Sequence, residues 1–153
     1  MKNTVIIFLF FLSFSTITSC QTKFDREIWI KNNSLYKKKN PRFYMIDDLL
    51  ENHLKVGMSK NSIIHLLGEP NKDTIELYIP KGIKLPDSLK FKNKQLLIVK
   101  DDRINYINEW YHKNYKSARF LSYPVGWSLI DPLTLKIMLD EKYKIVDFWI
   151  KEH

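Results

Sequence analysis

The chain has 153 residues, 44% hydrophobic and 27% charged, with only Gly 4 and Pro 6. That is room for one ordinary domain and excludes collagen-like, low-complexity and wholly disordered chains. A formal net charge of +8 raises nucleic acid as a partner, but 21 of the 25 basic residues are Lys. Arg, the residue that grips phosphate bidentately and reads bases, occurs only as Arg26, Arg42, Arg103 and Arg119, which argues against nucleic acid. One cysteine excludes an internal disulfide framework and a multi-cysteine metal cluster.

Met1-Lys2-Asn3 is a short, weakly positive start, and Thr4 to Phe14 is almost unbroken apolar sequence. The run is too short to cross ~30 Å of hydrocarbon, which takes ~20 residues, and has the length of a secretory h-region followed by small polar residues. A buried helix of the domain would need a polar face, and this run has none. Ile17-Thr18-Ser19-Cys20 resembles the lipobox of bacterial lipoproteins. That resemblance implies cleavage after residue 19, acyl chains such as palmitate on Cys20, and a membrane-anchored mature protein. Gln21 stands where Asp would signal retention in the inner membrane, so the expected address is the outer membrane of a cell envelope.

Thr22 to Ile30 is a mixed segment with Phe24 and Trp29 as aromatic anchors, and Lys31 to Asn40 is polar and basic. Residues 20–40 are therefore expected to be a lipidated N-terminus and tether, with the domain spanning 41–153. Asn40-Pro41 starts a helix, Asn as cap and Pro at the first position, with Phe43, Ile46, Leu49, Leu50 and Leu54 at helical spacing. Ser59 caps a second helix carrying Ile63, Ile64 and Leu67, which Gly68 ends in a left-handed position before Pro70. From Asp73 the period turns to two. Candidate strands are Asp73–Ile79, Gln95–Lys100, Arg103–Tyr111, Arg119–Tyr123, Leu133–Leu139 and Tyr143–Ile150. Helices first and strands afterwards predict an α+β fold, two helices packed on an antiparallel sheet.

The string Leu54-Lys55-Val56-Gly57-Met58-Ser59-Lys60, followed by Ile63 and Leu66-Leu67-Gly68-Glu69-Pro70, resembles the helix-turn-helix signature of the BamE/SmpA/OmlA-like small lipoproteins. Arg42, Met45, Asp47, Asp48 and Leu49 resemble a preface found in such proteins. The resemblance implies a β-lactamase-inhibitor-like ααβββ fold and an accessory, non-catalytic place in outer-membrane assembly. Ser62 departs from the Glu that often completes a capping box. Residues 80–116 read as an insertion with its own hairpin around Asp101-Asp102.

Chemistry is sparse. His53, His65, His112 and His153 show no local metal-ligand spacing, so neither a metal nor a cofactor is expected. There is no Gly-x-Ser-x-Gly elbow and no Gly-rich phosphate loop, and Asp47-Asp48 and Asp101-Asp102 are neighbours whose side chains diverge. No catalytic residue is expected. Aromatics crowd one stretch, where Tyr106, Trp110, Tyr111 and Trp127 are interleaved with Lys113, Lys116 and Arg119. They are either core or a protein-binding surface, and they are the candidate binding residues. The reading that emerges is a non-catalytic envelope lipoprotein with an envelope-protein partner; the alternative is a ligand-binding or inhibitory module of the same fold.

Overall fold

The computed structural model describes residues 22–34, 39–90 and 101–153, the side chains of residues 101–103 excepted. Helix α1 (Arg26–Lys31) is capped by Asp25, whose carboxylate accepts from the Ile28 amide at 2.9 Å. Helix α2 (Pro41–Asp48) begins as its sequence predicts, with Asn40 Oδ1 accepting from the Arg42 amide at 3.0 Å and Pro41 in the first turn. It runs on into a π-helical turn, Leu49–His53, closed by the Leu54 amide on the Leu49 carbonyl at 2.9 Å. Helix α3 (Lys60–Leu67) is capped by the Ser59 hydroxyl, which accepts from the Ser62 amide at 3.2 Å. Ser62 Oγ also lies 2.8 Å from Ser59 Oγ, so it meets the cap that a Glu there would have reached.

Gly68 ends α3 with φ +77 and ψ −173. The positive φ is as predicted, but the ψ puts it outside the left-handed helical well, in a region only glycine occupies with ease. The Gly68 carbonyl accepts the Tyr123 hydroxyl at 3.1 Å, joining the helix end to the sheet.

The sheet is antiparallel, in the order β1 (Lys72–Tyr78), β2 (Lys116–Trp127), β3 (Pro132–Leu139), β4 (Ile145–Glu152). The α+β class and four of the predicted strands stand, with shifted ends. Helix α4 (Asp101–Asn114) lies between β1 and β2 in the chain, where the sequence suggested the strand Arg103–Tyr111. Both edges of β2 are taken, by β1 and β3, so no place beside it remains for a strand from this stretch. Ile104, Ile107 and Tyr111 also satisfy a helical period, and Asp101-Asp102 open the helix, where acids complement its positive end, instead of turning a hairpin. The candidate strand Gln95–Lys100 lies outside the described residues.

One face of the sheet carries the main core. Leu121, Tyr123 and Val125 of β2, Leu135 and Ile137 of β3 and Ile145 of β4 pack against Trp29, Met45, Leu49, Leu54, Ile63 and Leu67 from the helical layer. Burying this many large side chains, at roughly 25 cal/mol per Å² of apolar surface, is what makes the two layers adhere. The opposite face is not the wet face that alternation suggests. Phe120 and Met138 there are 2% and 8% exposed, and Phe120 meets Tyr78 and Trp149 edge-on with centroids 5.9 and 6.0 Å apart. Lys81, just past β1, pairs with Asp147 of β4 at 2.6 Å, so the chain leaving one edge strand crosses this face to the other.

The folded unit also reaches further toward the N-terminus than the sequence suggests. Trp29 is wholly buried and Asn40 is 0% exposed, so residues 24–40 are not all tether. Asn40 Nδ2 donates to the carbonyls of Asn32 and Ser34, both at 3.0 Å, closing the segment onto the start of α2.

Candidate functional site

Helix α4 carries three of the four aromatic candidates. Its aromatic rings contact one another along the helix. Trp110 and Tyr111 meet edge-on at 5.2 Å, and Tyr111 stacks on Tyr115 at 5.3 Å with rings 19° apart. Tyr106 is 60% exposed and Ile104 45% exposed, while Ile107, Trp110 and Tyr111 are half-buried. The helix end is well made: Asn114 Nδ2 donates to the Trp110 carbonyl at 2.7 Å and the Tyr115 amide to Tyr111 O at 2.8 Å. Lys113 and His112 stand in this last turn beside the aromatic face, where positive charge suits the helix C-terminus.

Trp127 does not join them. It ends β2 opposite Pro132, at the far end of a 12-residue strand from α4 and half-buried. At ~3.3 Å per residue the strand separates it from Tyr115 by more than 30 Å. The aromatic crowd of the sequence is therefore two sites, with Phe120 and Tyr123 between them facing opposite sides of the sheet as buried residues. Cys20 lies outside the described residues.

The preface residues Arg42, Met45 and Asp48 prove to be a clamp on the N-terminal segment. Arg42 is buried; its Nε donates to the Trp29 carbonyl at 2.7 Å and its Nη1 to Pro124 O at 2.9 Å and Asn33 Oδ1 at 3.3 Å. The guanidinium lies 4.5 Å above the Trp29 ring. Burial pushes the Arg42 pKa down to about 10, so the charge persists at neutral pH. Met45 sulfur accepts from the Asp25 amide at 3.3 Å, and Asp48 Oδ2 from the Phe24 amide at 2.7 Å. The Phe24 amide, then the Asn52 side chain, hold the Asp48 carboxyl below its ordinary range.

Further features escaped the sequence reading. Asp73 of β1 receives both Lys60, at 2.5 Å, and Arg119, at 2.8 Å, with Tyr143 under both cations. Burial raises the Asp73 pKa, but these two donors outweigh it and the net shift is downward. On the outer sheet face, near the β2–β3 turn, lies a groove of about 460 Å³ lined by Lys72, Ser122, Pro124, Thr134, Lys136 and Lys151, with Glu76 at its edge. Its residues are scattered over four strands, and only the register brings them to one face.

The histidines have separate partners. His53 Nε2 lies 3.2 Å from Asp48, His153 Nε2 lies 3.1 Å from the Thr134 hydroxyl, and the His65 carbonyl accepts from Arg26 at 2.6 Å. Among the described residues no three His, Cys, Asp or Glu side chains converge as metal ligands would. No protein-family model matches the chain, and neither does any curated protein or any solved structure.

Proposed function

We propose that this protein is a non-catalytic lipoprotein of the cell envelope, anchored at Cys20 in the outer membrane, whose α+β domain is BamE-like and holds a second envelope protein through α4. The observation that carries the reading is α4 itself. A 14-residue helix with Tyr106 and Ile104 exposed, and the half-buried Trp110 and Tyr111 meeting edge-on, has the aromatic centre and basic edge of a protein-binding patch. Such a helix buries its aromatics only against something else.

The N-terminal clamp adds a geometric consequence. Among the described residues Phe24 is the first packed against the core, and four peptide units separate it from Cys20. Whatever their conformation, they span no more than ~14 Å. An acyl anchor at Cys20 would therefore hold the domain at the membrane surface, within reach of partners embedded in that membrane. A long basic tether, as the sequence alone suggested, would have let the domain roam.

Crosslinking in intact envelopes followed by pull-down tests the reading. The wild-type chain is expected to capture a defined envelope protein, Trp110→Ala to lose it at unchanged abundance, and Cys20→Ala to lose both acyl labelling and capture. Equal acyl labelling of wild type and Cys20→Ala removes the anchor, and undiminished capture by Trp110→Ala removes α4 as the contact.

A further inference from the structure

We propose that the groove on the outer sheet face binds a phosphate monoester carried on a small apolar body. This site is separate from α4 and stands or falls independently of the partner-binding role. The face is split in two. Its half beneath the chain leaving β1 carries the rings of Tyr78, Phe120 and Trp149 around Met138, with a recess of about 610 Å³ bounded by Lys81 and Asp147, and its half toward the β2–β3 turn is open as the lysine-lined groove. At about 460 Å³ the open half falls in the range of small-molecule sites, roughly 300–1,000 Å³.

The charge of the lining selects an anion. Lys136 is 7% exposed and its ammonium is held by Glu76 Oε1 at 2.6 Å, and the Thr74 hydroxyl fixes the same oxygen at 3.0 Å. Lys72 and Lys151 flank this pair, and among the described residues neither has a carboxylate within ion-pair distance. Three lysines less one carboxylate leave two positive charges on the lining side chains. A phosphate monoester carries about −1.5 to −2 at neutral pH and matches that balance, whereas a single carboxylate leaves it half met. Lys presents a compact point charge with three donors, which suits a phosphate approached from several sides.

The groove also holds an unpaired polar group. Ser122 lies in its lining, is 4% exposed, and its hydroxyl makes no hydrogen bond. The Ser122 oxygen itself is closed to a water-sized molecule, so the lysines and not this hydroxyl supply the ligand contacts. Thr134, already oriented by His153 at 3.1 Å, adds a hydroxyl. Pro124 and Pro132 supply rigid apolar walls for the organic part. A monoester of this kind is either a soluble metabolite or the headgroup of a lipid ending in phosphate.

Calorimetric titration of the full chain in nonionic detergent with phenyl phosphate tests the site. Saturable binding is expected, at least about tenfold weaker in the Lys72→Ala/Lys151→Ala double variant, with Lys142→Ala at the remote β3–β4 turn unchanged. Phenol, which lacks the phosphate, should not bind. A soluble short-chain phosphatidic acid binding at least about tenfold tighter than phenyl phosphate assigns the lipid source, and equal or weaker binding assigns a soluble one. Absence of saturable binding by either phosphate ester, or binding that the lysine double variant leaves untouched, overturns the proposal. Unchanged melting temperatures of the variants keep a loss of binding from being a loss of fold.

Discussion

The chain places one tryptophan of its N-terminal segment and one of its mid-chain helix in opposite circumstances. Trp29 belongs to a short polar stretch and is 0% exposed, held beneath the Arg42 guanidinium and inside the core. Trp110 belongs to the most aromatic stretch and remains at the surface of α4, touching its own neighbours. The difference lies in backbone hydrogen bonding. The segment around Trp29 is tied down at Phe24, Asp25 and Trp29 by side chains of α2, whereas the C-terminus of α4 is closed by its own Asn114. Aromatic content alone marks neither core nor interface. The polar groups that fix the backbone decide which it becomes.

The largest expected effect breaks the clamped side of this comparison. Trp29→Ala empties a fully buried site and removes the ring under Arg42, at a cost of ~3–5 kcal/mol, so chemical denaturation should show a domain near or past its unfolding threshold. Next comes Gly68→Val. Its φ of +77 is closed to a β-branched residue, and a Cβ there would stand 3.4 Å from Ile30 of α1. A loss of ~2–3 kcal/mol is expected, read as a lower melting temperature. An unchanged melting temperature would mean that α1 is not seated against this corner.

Acid should loosen the clamp. Asp48 is held below its ordinary value of 3.8 by the Phe24 amide, so its contribution is complete above about pH 4 and is lost as pH falls through the lower folded value. Asp73 and Glu76 are depressed too, so their stabilisation is present above their ordinary values and disappears in the same direction. Relative to the intrinsic exchange rate, the Phe24 amide should therefore lose protection below about pH 4, while the α4 amides keep their neutral-pH protection. The smallest effect on stability belongs to Trp110→Ala, within ~1 kcal/mol, because little of the fold rests on α4. A cost near that of Trp29→Ala would show that α4 is core after all and sharpen the comparison to nothing.

Local signals made the helical layer legible. Asn40-Pro41, Ser59 and Gly68-x-Pro70 cap or end a helix through groups within three residues of one another, and each does so in the structure. Alternation likewise marked β1, β3, β4 and part of β2, since a strand that buries apolar side chains writes that fact along itself. Whether 103–111 is strand or helix was not local. Its apolar residues fit both periods, and in the folded chain it is the helix α4, with β2 paired to β1 and β3. The clamp of Arg42 on Trp29 and Pro124 spans 13 and 82 residues, and the groove draws Lys72, Ser122, Lys136 and Lys151 from four strands. Such sites are products of register. Strand pairing converts distant positions into neighbours, and a one-residue slip would send every one of those side chains to the other face.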